Sequence, residues 1–111
     1  MATGTIKELF PISGSDTNGY YCKFPDGTLI QWGAKTGASG MTVTLPTSFV
    51  DATYSVSMHA HYNSVTSIVC ILSELERGTG YFKINAWDAN TKAASTATNI
   101  PVLWIAIGRW K

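Results

Sequence analysis

Charge is scarce in this chain. Asp, Glu, Lys and Arg make up 14% of its 111 residues and the formal net charge is +1, so it offers neither a basic footprint for nucleic acid nor an acidic tail. Long hydrophobic runs are missing too. Apolar residues reach 45% but sit in short segments, none near the roughly 20 residues of a membrane span. The opening MATGTIKELF lacks the basic stretch and long apolar run of a secretory signal. Two cysteines, Cys22 and Cys70, are few for a disulfide-held scaffold, and the expectation is two free, buried thiols. Helical periodicity is nearly absent. What these absences leave is a soluble single domain, with more apolar surface than a monomer needs, so oligomerisation is expected.

The residues present read as strands. Thr, Ser, Val, Ile and aromatic residues dominate, with Gly, Asn, Asp and Pro as punctuation, the pattern of an all-β sandwich or barrel. Strands are expected at about 20–24, 29–34, 41–45, 54–62, 65–72, 81–87 and 102–110, which suits an antiparallel sandwich of six or seven strands. The segment IKELF reads as a helical turn or an extended arm and PISGSDTNG as a linker or loop. Residues 1–18 are thus an arm or linker and residues 19–111 the compact domain.

Alternation assigns faces. In YSVSMHAHY, Tyr54, Val56, Met58, Ala60 and Tyr62 share one face and Ser55, Ser57, His59 and His61 the other. In YFKINAW, Phe82, Ile84 and Ala86 point inward while Tyr81, Lys83, Asn85 and Trp87 point outward. VLWIAIGRW is apolar on both faces and wants cover on both sides; another subunit is the expected source. In KFPDGTLIQWG, Pro25-Asp26-Gly27 is a turn signal, making Lys23 to Gly33 a hairpin whose packing residues are Leu29, Ile30 and Trp32. Trp104 belongs to the closing strand, and Arg109 and Trp110 staple it.

Catalytic patterns are thin. Asp51, Asp88, Glu74 and Glu76 are the acids considered for glycoside hydrolysis, and the reading is solvated loop acids. Cys22 or Cys70 beside a histidine is a nucleophile pattern, but both lie in strands among apolar neighbours. His59 and His61 sit about 7 Å apart on one strand face. Only a three-fold axis passing this strand would gather enough imidazoles for an octahedral iron or nickel site. No metal and no cofactor is expected, and the chain is read as a non-enzyme.

The sharper candidate is NAWDANTKAASTATNIP, a polar loop longer than a compact sandwich needs. An exposed indole at Trp87 gives a flat plate for the C–H face of a sugar, with Asp88 and Asn90 to bond its hydroxyls.

The order GYYCKFPDGTLIQWG, VTLPTSFVDATYSVSM, GYFKINAWDANT and LWIAIGRW resembles the C-terminal domain of bacteriophage tail fibres. The stretch from Gly80 to Gly108 is similar to H-type lectins. The resemblance covers Gly19 to Lys111 and implies an H-type-lectin-like antiparallel sandwich, packed as a homotrimer, that recognises cell-surface carbohydrate. It carries a sugar-lining role onto Trp87 and Asp88. Because the family's sugar sites lie in clefts between protomers, His61, Tyr62, Asn63 and Arg77 are second-rank candidates for the facing wall. The expected function is a non-enzymatic receptor-binding tip of a phage or phage-like fibre, in a virion or encoded by a prophage, with a surface glycan as partner and neither nucleic acid nor membrane insertion. The alternatives are a structural trimerisation cap without a ligand and a free-standing bacterial lectin.

Overall fold

The computed structural model describes residues 9–61 and 70–111. The hairpin at Pro25 is where the fold is most tightly specified. Gly27 N donates to Phe24 O at 3.0 Å, Phe24 N to Thr28 O at 2.8 Å, and Thr28 N to the Asp26 carboxylate at 2.8 Å. Proline presets φ at the second turn position, and Gly27 takes φ 101°, a left-handed conformation that glycine adopts without strain. The turn joins β2 (Gly19–Lys23) to β3 (Thr28–Gly37) with Cys22 opposite Ile30. The chain end closes on it: Trp110 donates through its backbone N to Gly27 O and through Nε1 to Phe24 O, and the Arg109 guanidinium donates to Asp26 O. Both residues staple the last strand, as expected.

Before β2 stands β1 (Ile12–Asp16), paired to it antiparallel from Ile12↔Lys23 to Asp16↔Gly19. The expectation of a linker here is corrected. ISGSD has one apolar residue and no alternation because it is an edge strand of which no residue is fully buried, so backbone pairing alone specifies it. After β3 come β4 (Thr42–Thr44), β5 (Ser55–Ala60), β6 (Cys70–Arg77), β7 (Tyr81–Asp88), β8 (Ala93–Ala94) and β9 (Ile100–Arg109). One sheet has the order β1-β2-β3-β9-β5 and the other β4-β7-β6, with β8 also paired to β7. All pairings are antiparallel, so the all-β antiparallel expectation holds.

The expected strand at 65–72 extends further than expected, since β6 runs to Arg77; residues 65–69 lie outside the described part. A bulge explains the misreading. Between Glu74↔Ile84 and Glu76↔Lys83 one residue, Leu75, is extra, which breaks the period of two.

The inner faces pack as the alternation dictates. Phe82, Ile84 and Ala86 of β7 meet Val102, Trp104 and Ala106 of β9, all buried. Trp104 and Phe82 are edge-to-face at 5.6 Å and 78°, a favoured aromatic geometry. The Trp104 indole lies over Gly33, its partner on β3, where a Cβ would stand 3.0 Å from the ring. Any larger residue there would press the ring and the Asn18 carbonyl outward by a few tenths of an ångström.

Gln31 is the residue that alternation alone misjudges, because it is polar and fully buried. Its Nε2 donates to Thr47 O at 2.8 Å and its Oε1 accepts from Thr47 N at 2.9 Å. One side chain thus satisfies both backbone groups of a loop residue and ties the β4–β5 connection to β3. Gln31→Leu keeps the volume and strands both partners, so stability falls by about 2–3 kcal/mol. Urea unfolding of the two proteins measures this.

Tyr54 anchors the same end of the sandwich. Its ring stacks on Phe49 at 4.2 Å, and its hydroxyl lies 2.8 Å from both Gly78 O and Tyr81 O. Burial pushes its pKa from 10.0 up to about 12, with the Arg77 charge pulling partly back and the Glu74 charge adding to the rise. The neutral phenol is the form the fold holds. Its contribution is therefore complete below pH 10 and is lost as pH climbs from 10 through about 12. Thermal unfolding followed upward from neutral pH should show a steeper alkaline decline for wild type than for Tyr54→Phe.

The outer faces of the two sheets differ. On β9, Leu103, Ile105 and Ile107 are 39%, 39% and 46% exposed. They lie beside Ala34, Trp32 and Ile30 of β3, giving a contiguous apolar surface across the sheet centre. On β7 the outer residues are Tyr81, Lys83, Asn85 and Trp87, facing Glu76, Ser73 and Ile71 of β6, and this surface is mostly polar.

Candidate functional site

The two sheets share two poles. At one lie the Pro25 turn, Arg109 and Tyr81, joined through Val50 N to Arg109 O and Leu45 N to Gly80 O. Phe10 and Ile12 are there too, beside Phe24 and Trp110, so the chain enters the fold at this pole. At the opposite pole lie the β1–β2 turn, Ile100, and the segment from Trp87 through β8.

Trp87 is 40% exposed on the polar outer face, flanked by Ile71 of β6 and Ala94 of β8. Two residues back on the same face is Asn85, whose Nδ2 donates to Ser73 Oγ at 3.3 Å. Ser39 reaches Asn85 as well, at 3.5 Å, while accepting Ala86 N at 2.9 Å. An indole plate with an amide and two hydroxyls one pleat away results. Asn85 and Ser73 were absent from the sequence candidates, although the period of two already put Asn85 on the Trp87 face.

Asp88 takes the other face of β7 and is 9% exposed. Its Oδ1 accepts Asn90 N at 2.9 Å and its carbonyl accepts Lys92 N at 2.8 Å, with Lys92 at φ 56°. The carboxylate shapes the turn out of β7. Asn90 is exposed on that turn, so Trp87 and Asn90 share a pole while Asp88 supports from below. His61 comes to the same pole, its backbone N donating to Pro101 O at 2.8 Å. Tyr62 and Asn63 lie outside the described residues.

Arg77 is placed elsewhere. It pairs with Phe82 at the far end of the sheet, five residues and about 17 Å of strand from Trp87. Its guanidinium bonds the Glu74 carboxylate and the carbonyls of Ala52 and Tyr54, and lies 4.5 Å above the Tyr54 ring. Its donors are committed to the fold.

Two of the acids are likewise engaged. Asp51 accepts from the Thr53 hydroxyl at 2.5 Å and from Thr53 N at 2.9 Å, bonds that hold its carboxyl below the usual range. Glu76 accepts the Tyr81 hydroxyl at 2.7 Å. Both cysteines are free and half-buried, rather than fully buried. Burial, then the Asp88 charge, pushes the Cys70 thiol up, away from the thiolate a nucleophile needs. His59 faces outward opposite Leu103, and among the described residues no three metal-ligating side chains gather. No helix among the described residues is long and apolar enough to cross a membrane.

Among solved structures the chain is similar to the P. aeruginosa R1 pyocin fiber, at 16% identity and TM-score 0.61, covering 88% of this chain and 28% of that one. It is also similar to the P. aeruginosa R2 pyocin fiber (14%, 0.54, covering 88% and 26%) and to an N-truncated R2-type pyocin tail fiber (12%, 0.55, covering 88% and 38%). At such identities the likeness is one of fold, and the chain spans well under half of each fibre structure. Among curated proteins no relative matches by sequence. The family model for the C-terminal region of gp53-like tail fiber proteins matches residues 23–109, from the Pro25 hairpin to the end of β9, and the chain belongs to that tail-fibre C-terminal family.

Proposed function

We propose that this domain is the receptor-binding tip of a phage or phage-like tail fibre, assembled as a trimer, that binds a cell-surface carbohydrate without cleaving it. The observation that carries the reading is Trp87: an indole 40% exposed on a polar sheet face, at the pole opposite the one where the chain enters. A fibre joined at the entry pole presents this face to the host. Trp87 stacks on a sugar ring, with Asn85 and Ser73 on the same face and Asn90 at the turn bonding hydroxyls. Asp88 holds the turn, and His61 borders the site in the H-type-lectin manner; Tyr62 and Asn63 stay candidates from the sequence alone.

The apolar outer face of β3 and β9 supports assembly. Side chains about 40% exposed there gain on the order of 1 kcal/mol each when a second copy covers them. Three weak sites per tip, multiplied over the fibres of a particle, then supply avidity. The test is an array of bacterial surface polysaccharides probed with wild type and Trp87→Ala. Binding that is lost in the variant supports the reading, and equal binding by both removes Trp87 from it.

A further inference from the structure

The segment SDTNGY is left unused by the Trp87 site. Here β3 continues along β9 to Gly37, whereas β2 begins only at Gly19. This step in the sheet leaves a notch of about 230 Å³ beside the β1–β2 turn. Ser15, Asp16, Thr17, Asn18 and Tyr20 line it. The turn is rigid, since Asn18 N donates to Asp16 Oδ1 at 2.7 Å. That bond uses the Asn18 backbone and one Asp16 oxygen; among the described residues the hydroxyls of Ser15 and Thr17, the Asn18 amide and the other Asp16 oxygen have no hydrogen-bond partner.

The wall of the notch is aromatic. Tyr20, 54% exposed, stands across from Trp32, its β3 partner, with ring centroids 5.8 Å apart and planes inclined by 17°. Trp32 stacks on one face of Tyr20, and the Tyr20 ring alone is the plate that lines the notch. Behind the notch glycines lies the Trp104 indole, within 3.4 Å of where a Cβ of Gly19 would be and within 3.0 Å of one at Gly33. Its Nε1 is buried and without a partner among the described residues.

A flat aromatic wall fringed by hydroxyl, amide and a single carboxylate fits a neutral sugar: ring C–H groups lie on the plate while hydroxyls find donors and acceptors. Asp16, the one charged lining residue, disfavours an anion. The volume falls below the roughly 300–1,000 Å³ of clefts for larger ligands, which suits one pyranose unit. We infer that this notch is a second saccharide subsite, for a neutral hexopyranose, separate from Trp87 and at the same pole. It rests on the carbohydrate-binding reading and adds a position to it.

Saturation-transfer NMR of the whole chain with the methyl glycosides of glucose, galactose, mannose and N-acetylglucosamine tests it. The expected result is binding of at least one glycoside by wild type, weakened about tenfold in Tyr20→Ala and retained in Trp87→Ala. Thr17→Trp, which fills the notch and leaves the aromatic plate and the apolar sheet face intact, should abolish it as well. Binding unchanged in Tyr20→Ala and Thr17→Trp but lost in Trp87→Ala overturns the notch and leaves the Trp87 site standing. Absence of transfer from all four glycosides to wild type also overturns the notch, while polysaccharide binding on the array tests Trp87 independently.

Discussion

Ile105→Glu should turn the proposed trimer into a monomer. Ile105 lies at the middle of the apolar outer face, between Trp32 of β3 and Ser57 of β5, and is 39% exposed. Its neighbours in sequence, Trp104 and Ala106, point into the core, so the substitution leaves the inner packing untouched. In a lone protomer the new carboxylate stays in water and costs little. In a trimer closed over this face it is desolvated without a partner, a penalty of several kcal/mol for each copy, against about 1 kcal/mol gained per covered apolar side chain. The penalty dominates. Sedimentation should give a trimer for wild type and a folded monomer for Ile105→Glu, with near-UV circular dichroism showing that the core persists. A variant that sediments as wild type does places the interface elsewhere.

Trp87→Ala should remove carbohydrate binding while leaving the trimer intact. The indole stands on the outer face of β7, and the buried neighbours Ala86 and Asp88 keep their contacts. Loss of a stacked ring at a single site weakens binding by about tenfold or more, since each 1.4 kcal/mol is a factor of ten. Avidity multiplies that loss across three sites, so adsorption to cells should fall below detection. Asp88→Ala acts differently: it loosens the turn to Lys92 held by its carboxylate and lowers thermal stability along with binding. A Trp87→Ala protein that adsorbs as wild type does shows that the indole serves contact between protomers or nothing at all.

Much of this was legible because strands of period two announce their faces. Val56 and Met58, the trio Phe82, Ile84 and Ala86, and the doubly apolar β9 all stand where alternation puts them. The Pro25-Asp26-Gly27 turn was legible from proline and glycine chemistry. What escaped has identifiable causes. β1 is held by backbone pairing at an edge and carries almost no apolar signal. β6 contains a bulge at Leu75 that interrupts its alternation. Gln31 reads as polar, and only the fold reveals Thr47 waiting to satisfy both ends of its amide.

The site was legible in part. Trp87 was placed on the outer face by counting twos, and the same count separates it from Asp88. Adjacent strand residues face opposite ways, so Trp87 stands on the outer face and Asp88 on the other. Arg77 was a candidate for the facing wall of a cleft between protomers; within one chain its donors meet Glu74, Ala52 and Tyr54, and the last two lie far from it in sequence. That Ser73 stands beside Asn85 on the Trp87 face is visible only once β6 and β7 are in register.

The most direct test is adsorption of the wild-type protein to an array of bacterial surface polysaccharides, with reducing ends assayed in the same wells. The account predicts saturable binding to at least one polysaccharide, abolished by Trp87→Ala, with no release of reducing ends. A trimer that binds no polysaccharide on the array and no cell surface is a structural cap, and release of reducing ends makes it an enzyme; either result contradicts the account.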